Sequence, residues 1–246
     1  IFLYLYNNYN MKNITSAVFI AALFLNSCST TQPTVQNNTE MNIPAELANN
    51  PFIKKSPLQY QTPEFDKIKN EHFKPAFDYG LKIHSAEIDA IANNPEKPTL
   101  ENTLVALEKS GEVLKRARTA FGTYAGAHTN PTIQQLAKEY AGIFAAHSDK
   151  LYLNDKIYQR IKAIDPQSLD SESKRLREDY LQSFEISGAA LSADKKEELK
   201  KINQELASLQ TEFGSKLLNA NKKGGILIGD VKELDGLSAD QIAATA

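Results

Sequence analysis

The chain has four histidines, the residue type that most often serves as general base or zinc ligand near neutral pH. They are His72, His84, His128 and His147. No two of them are four residues apart, the spacing that places two imidazoles on one face of a helix, and no His-Glu-x-x-His occurs. We therefore predict no catalytic residue and no metal ligand in this chain.

His147 is the histidine that falls on an apolar stripe, together with Ile143 and Phe144. It is either a ligand or base, or a hydrogen-bonded histidine in the interior or at an interface. The second alternative is favoured, because a lone histidine on an apolar face more often completes a core than a site. His72, His84 and His128 stand among polar neighbours and are predicted at the surface.

Other chemistry-bearing patterns are weak. Several serines and threonines stand at predicted helix caps, where the hydroxyl already bonds the backbone. Gly224-Gly225 is too short for a phosphate-binding loop, and no Gly-x-x-x-x-Gly-Lys-Ser/Thr is present. The alternating charges of residues 195–201 are typical of a solvated helix face.

Cys28 is the only cysteine, and it follows an apolar run. Residues 11–27 have the layout of a secretory signal, and their end with the cysteine, LNSC, looks like a bacterial lipobox. We therefore predict a lipoprotein signal peptide over 11–27, lipidation of Cys28, and a disordered tether rich in Thr, Gln, Asn and Pro over 28–50. The alternative for Cys28 is an ordinary residue at a cleaved or retained terminus. Residues 1–10 precede Met11 and are predicted to be translated upstream sequence.

The composition excludes some classes of protein. Of 246 residues, 28 are basic and 30 are acidic, which gives a net charge of −2. This balance argues against a nucleic-acid partner, which usually needs a clustered basic excess. A single cysteine excludes an internal disulfide framework and a cysteine-rich metal site. The length fits one large helical domain or two small ones.

Apolar spacing predicts an all-α fold with antiparallel helix packing. The longest element covers residues 192–222, where six apolar side chains recur at steps of three and four: Leu199, Ile202, Leu206, Leu209, Phe213 and Leu217. We expect the earlier helices to cover this stripe, and the helix over 171–188 to form an antiparallel hairpin with it. One helix is predicted over 100–126, and the single short β element near 225–232.

Four stretches together resemble the N-terminal half of the peptidyl-dipeptidase (dipeptidyl carboxypeptidase) and thimet oligopeptidase family of zinc metallopeptidases. They are residues 50–80, 96–111 (EKPTLENTLVALEKSG), 145–161 and 173–217, in the order in which the family has them. The resemblance covers nearly all of residues 50–246 and is closest to bacterial dipeptidyl carboxypeptidases.

The resemblance implies a mostly helical, two-lobed enzyme with a deep channel between its lobes. Residues 51–246 would form the N-terminal lobe, cut off before the catalytic domain. The zinc cofactor implied for the parent protein is held by a His-Glu-x-x-His helix and a later glutamate, none of which this chain contains, so no catalytic or metal position carries over.

Two functions of different classes are therefore expected. The first is a fragment of a lipid-anchored zinc peptidase of the bacterial cell envelope that faces the periplasm and releases C-terminal dipeptides from short peptides. This fragment would be inactive alone, would form a channel wall, and would have the missing C-terminal catalytic half and the membrane as partners. The alternative is a stand-alone helical lipoprotein that binds peptides or a partner.

Overall fold

The computed structural model describes residues 43–224 and 228–244, and this part of the chain folds as helices without a strand. The mostly helical class is therefore confirmed. Eight α-helices follow one another: α1 (Phe73–Ala92), α2 (Ala106–Lys109), α3 (Glu112–Ala127), α4 (Pro131–Tyr152), α5 (Asp155–Ala163), α6 (Ser171–Ile186), α7 (Ala193–Lys223) and α8 (Ala239–Ala243). Short 3-10 turns and one π-helical turn, Leu100–Val105, connect them.

Two large apolar cores lie along α1, which contributes to both, and Tyr79 of α1 joins a third, smaller cluster with Leu47 and Ile53. The first core joins the start of α1 to α3 and α4, and its rings pack edge to face, with the Phe77 and Phe121 centroids 5.2 Å apart. The second joins the end of α1 to α2, α5 and α6 around Ile88, Ile157 and Phe184. Helix α1 thus connects the two cores.

Side-chain caps begin several helices. Asn130 accepts a hydrogen bond from the Ile133 amide at 3.1 Å, with Pro131 in the first turn of α4. Asn154 accepts from the amides of the first turn of α5. These bonds satisfy amides that have no partner inside the helix. Because the bonded residues are close in sequence, the start of a helix can be predicted from the local sequence.

The single helix predicted over 100–126 is wrong. Ser110 has an extended backbone and Gly111 a left-handed one (φ +69°), so the chain breaks between α2 and α3. A Cβ on Gly111 would lie 2.8 Å from Nδ1 of His84. Glycine is needed here both for the positive φ and for the close approach of the His84 ring.

The long helix α7 is confirmed, but its predicted neighbour is wrong. It packs mainly against α4, whereas α6 packs against α5. Lys196 contacts Leu153, and Asn203 contacts Asp149. Residue numbers rise along α7 while their partners' numbers fall along α4, so the two helices are antiparallel.

The predicted β element near 225–232 is corrected by the described residues. Val231–Leu234 is a 3-10 turn and residues 228–230 have no regular structure, while 225–227 lie outside the described residues. Further on, Ser238 and Gln241 form a capping box at the start of α8. Within the described ranges, no helix is both long and apolar enough to cross a membrane.

Candidate functional site: an exposed apolar face on the longest helix

The apolar stripe of α7 is open to solvent along most of its length. The exposed fraction of its side chains runs from 49% at Leu206 to 68% at Phe213, and the exposed members are Ile202, Leu206, Leu209, Phe213 and Leu217. Only Leu199, near the start of the helix, is partly buried. The expectation that the earlier helices cover this stripe is therefore wrong.

The opposite face of α7, made mostly of small and polar residues, lies against α4. Its members recur every four residues and are partly buried: Asn203, Ala207, Thr211 and Ser215. The hydroxyls of Thr211 and Ser215 donate to carbonyls one turn earlier in α7, at 2.9 and 3.0 Å, so they need no partner on α4. Small side chains allow two helices to approach closely, which increases dispersion contacts between them.

Polar contacts near the start of α7 set its rotation about its own axis. Nζ of the buried Lys196 donates to the Leu153 carbonyl at 3.3 Å and forms an ion pair of 2.5 Å with Asp155. Nδ2 of Asn203 donates to Oδ1 of Asp149 at 2.7 Å. Because these bonds are directional, they fix which face meets α4 and leave the apolar stripe outward.

Asp149 is an unusual member of this interface. Its Oδ2 is buried and has no hydrogen-bond partner in the part of the chain that the structure describes. Burial raises the pKa of its carboxyl, and the hydrogen bond from Asn203 and the charge of Lys200 oppose that shift. A buried oxygen without a partner costs free energy, so the α4–α7 contact is not optimised for stability alone.

An exposed row of large apolar side chains is characteristic of a surface that binds another apolar surface. The stripe is regular, with one residue per turn over about five turns, and it carries no group suited to acid–base or nucleophilic chemistry. We therefore take the outward face of α7 as the candidate functional site. Its chemistry is recognition through apolar burial.

The structure changes the interpretation of the histidines. His147 is a hydrogen-bonded, half-buried histidine, as predicted, with its Nε2 2.9 Å from Nδ1 of His84. His84 was predicted at the surface, but it is half-buried between His147 and Ser110. His72 is also partly buried, and its Nδ1 accepts from the Lys69 amide, whereas His128 is exposed as predicted. Sequence spacing gave no signal for the His84–His147 pair, because the two are 63 residues apart.

The described residues do not fit the catalytic zinc site that the resemblance implies. In residues 43–224 and 228–244 no three histidine, cysteine or acidic side chains lie together as a metal would need. Burial lowers the pKa of the two adjacent histidines, His84 and His147, and the cations Arg118 and Lys150 lower it further. The same two cations would repel a metal ion. Cys28, the predicted lipidation site, lies outside the described residues.

Comparison with known proteins gives a consistent group of relatives. The chain is 42% identical to a dipeptidyl carboxypeptidase of Escherichia coli (strain K12) over 201 residues, which is 80% of this chain and 30% of that protein. It is 40% identical to the dipeptidyl carboxypeptidase of Salmonella typhimurium over 81% of this chain and 30% of that protein. A probable cytosolic oligopeptidase A of Arabidopsis thaliana is 29% identical over 78% of this chain and 27% of its own length. No family model matches the chain.

The chain thus spans about three tenths of the length of the curated relatives that it matches. Their names agree with the resemblance found in the sequence, which is thereby confirmed.

Proposed function

We infer that this chain is one part of a peptidase, because it is a homologue of dipeptidyl carboxypeptidases and oligopeptidase A within the thimet oligopeptidase family. The observation that carries the proposal is the 42% identity to a dipeptidyl carboxypeptidase across 80% of the chain. The parent protein would release C-terminal dipeptides from short peptides with the help of zinc. The ligands for that zinc would come from the remaining part of the parent, since this chain has no His-Glu-x-x-His.

The role proposed for this chain is structural: one wall of the substrate channel. The outward face of α7 supports this, because its five exposed apolar side chains would be covered by the catalytic half of the parent. Covering apolar side chains stabilises a contact by about 25 cal/mol for each Å² removed from water. The exposed stripe thus supplies the attachment that joins this chain to the missing half.

We further propose that the parent is anchored in the bacterial cell envelope, facing the periplasm, through a lipid on Cys28. The lipobox-like LNSC and the tether over 28–50 support this location. Mass spectrometry of the protein from its host membrane tests it. An N-terminal peptide that begins with diacylglyceryl-Cys28 is expected, and an intact, unmodified Cys28 would contradict it.

The experiment that tests the peptidase proposal compares this chain with the complete gene product. Both are incubated with an N-acetylated tetrapeptide, with and without a zinc chelator, and the released dipeptide is measured by chromatography. The complete product should release the C-terminal dipeptide only without the chelator, and this chain should release none. Zinc-dependent release by this chain, or no release by the complete product, would contradict the proposal.

The alternative remains a stand-alone helical lipoprotein that binds peptides or a partner through exposed helix faces, and the open stripe of α7 favours it equally. Thermal unfolding monitored by light scattering separates the two. A protein that functions alone should unfold cooperatively as a monomer. A chain that normally packs against a catalytic half should associate through the stripe.

A further inference from the structure

A cavity of about 450 Å³ lies between the chain segment that precedes α1 and the beginning of α3. Its apolar lining includes Pro51, Phe52, Pro63 and Ile68. Phe52 and Ile68 are also members of the first apolar core, so this lining is fixed by the packing of α1 and α3. A cavity of this size accommodates a few amino-acid residues.

The wall formed by the segment before α1 is held in place by Arg116. Its Nε donates to the Phe52 carbonyl at 3.0 Å and its Nη2 to the Ile53 carbonyl at 2.9 Å. At the rim, Tyr60 and Gln61 both have left-handed backbones, with φ of 57° and 56°. Non-glycine residues adopt this conformation at a cost, and it occurs often at ligand sites.

The three carboxylates that line the cavity are all engaged by other groups. Glu64 pairs with Lys67 at 2.6 Å, and Glu108 accepts a hydrogen bond from the Tyr180 hydroxyl at 2.7 Å. Glu112 pairs with Lys55 at 2.9 Å and with Arg116 at 3.3 Å, and these cations lower the pKa of its carboxyl. Glu64 and Glu112 are thus matched by cations, whereas Glu108 keeps its negative charge because a neutral hydroxyl bonds it.

Two of the four lining cations, Lys54 and Lys115, have no ion-pair or hydrogen-bond partner within residues 43–224 and 228–244. Lys54 lies on the segment before α1 and Lys115 on α3, and both line the cavity. The cavity therefore presents two unpaired positive charges beside an apolar lining. The matching ligand carries an apolar side chain and two carboxylates.

We propose that this cavity binds the C-terminal end of a short peptide that has an apolar residue followed by an acidic one. The apolar side chain lies against Phe52 and Ile68, and the terminal and side-chain carboxylates pair with Lys54 and Lys115. The two lysines and the apolar lining of the cavity require a ligand that has both carboxylates and an apolar side chain. The choice of a peptide as the ligand class rests on the proposed function. The site lies apart from the exposed face of α7 and acts by binding alone.

Isothermal titration of the full chain with acetyl-Gly-Phe-Asp tests the proposal, with acetyl-Gly-Phe-Asn-amide as the uncharged control peptide. The acidic peptide should bind, and the amide should bind at least about tenfold more weakly, because each charge-assisted contact is lost. The double variant Lys54→Gln/Lys115→Gln should lose affinity by a similar factor. Lys82→Gln changes an exposed lysine of α1 that lies outside the cavity lining and has no ion-pair partner among the described residues, and it should keep the wild-type affinity.

Three results would overturn the proposal: equal affinity for the two peptides, wild-type affinity in the double variant, or no saturable binding up to ~10 mM peptide. Both lysines are exposed, so the double variant should keep its fold, and circular dichroism checks that it does. Because the titration involves no catalysis, its failure leaves the peptidase proposal intact. Conversely, an inactive complete gene product would leave peptide binding at this cavity measurable.

Discussion

His147 donates a hydrogen bond from Nε2 to Nδ1 of His84, over 2.9 Å, and so links α4 to α1. The direction follows from Ser110, whose hydroxyl donates to the Leu107 carbonyl at 2.7 Å. Its oxygen can then only accept from Nε2 of His84, which lies 3.2 Å away. His84 therefore carries its proton on Nε2, and its Nδ1 is free to accept. A proton added at Nδ1 of His84 would break the link between the two helices.

This pair predicts a specific pH dependence of stability. The pKa of His84 is lowered to about 4, first by burial and then by His147 and the cations Arg118 and Lys150, and burial also lowers the pKa of His147. In the unfolded chain both titrate near 6.5. Below that pH the unfolded state binds protons that the folded state does not, so the free energy of unfolding falls between about pH 6.5 and 4 and is fully present above that window.

We expect a loss of about 1–2 kcal/mol between pH 7 and 5, less than the full linkage value because water partly screens the pair. Urea unfolding of the wild type and of His84→Gln at the two pH values measures it. Between pH 7 and pH 5, the free energy of unfolding of His84→Gln should fall by less than that of the wild type. His128→Gln, which changes an exposed histidine, should behave as the wild type. An identical loss in all three proteins would contradict the prediction.

Glycine substitutions test the break between α2 and α3. Gly111→Ala should lower the free energy of unfolding by about 1–3 kcal/mol, because the new Cβ meets the His84 ring and the left-handed backbone strains any other residue. Gly122→Ala in α3 is the matched control, since its Cβ would enter open space. It should stabilise the helix by about 0.5–1 kcal/mol. Chemical denaturation measures the free energy of unfolding of both variants. An unchanged value for Gly111→Ala would show that the break between α2 and α3 does not require glycine at this position.

Two adjacent lysines test the attachment of α7 to α4. Lys196→Met should cost about 1–3 kcal/mol, because it leaves the buried Leu153 carbonyl without that donor and removes the ion pair to Asp155. Lys195→Met removes only an exposed pair with Glu198 and should change stability by less than about 0.5 kcal/mol. Thermal unfolding measures both. Equal effects would mean that Lys196 does not hold the helix in place.

The exposed stripe predicts self-association of this chain. Leu209→Lys/Phe213→Lys should reduce association, because charged side chains resist burial against an apolar surface. Since both residues are exposed, the free energy of unfolding of the monomer should change by less than about 0.5 kcal/mol. Static light scattering across a concentration series measures the association. Gln204→Lys/Gln210→Lys adds the same charge at other exposed positions of α7 and serves as control.

If the control variant dissociates as completely as the stripe variant, net charge and not the apolar face drives association. In the complete gene product, Leu209→Lys/Phe213→Lys should lower the melting temperature, because there the stripe is expected to be buried. An unchanged melting temperature would contradict the proposal that the catalytic half covers α7.

The sequence by itself determined the helices and most of their ends. Asn130 and Asn154 cap α4 and α5, and such caps can be predicted because each depends on the few residues that follow it. The length of α7 could be predicted for the same reason, since its apolar spacing is continuous and Gly224 and Gly225 follow it directly. The resemblance to peptidases is likewise a property of ordered sequence stretches, which the relatives at 42% and 40% identity confirm.

Only the tertiary structure decided which surfaces meet. The apolar stripe of α7 indicated a covered face, but small residues such as Ala207 and the directional bonds of Lys196 and Asn203 turn the opposite face to α4. The break at Gly111 depends on the His84 ring, which comes from another helix. Contacts of this kind join residues tens of positions apart. Their energies depend on close packing and bond direction in three dimensions, which local spacing does not encode.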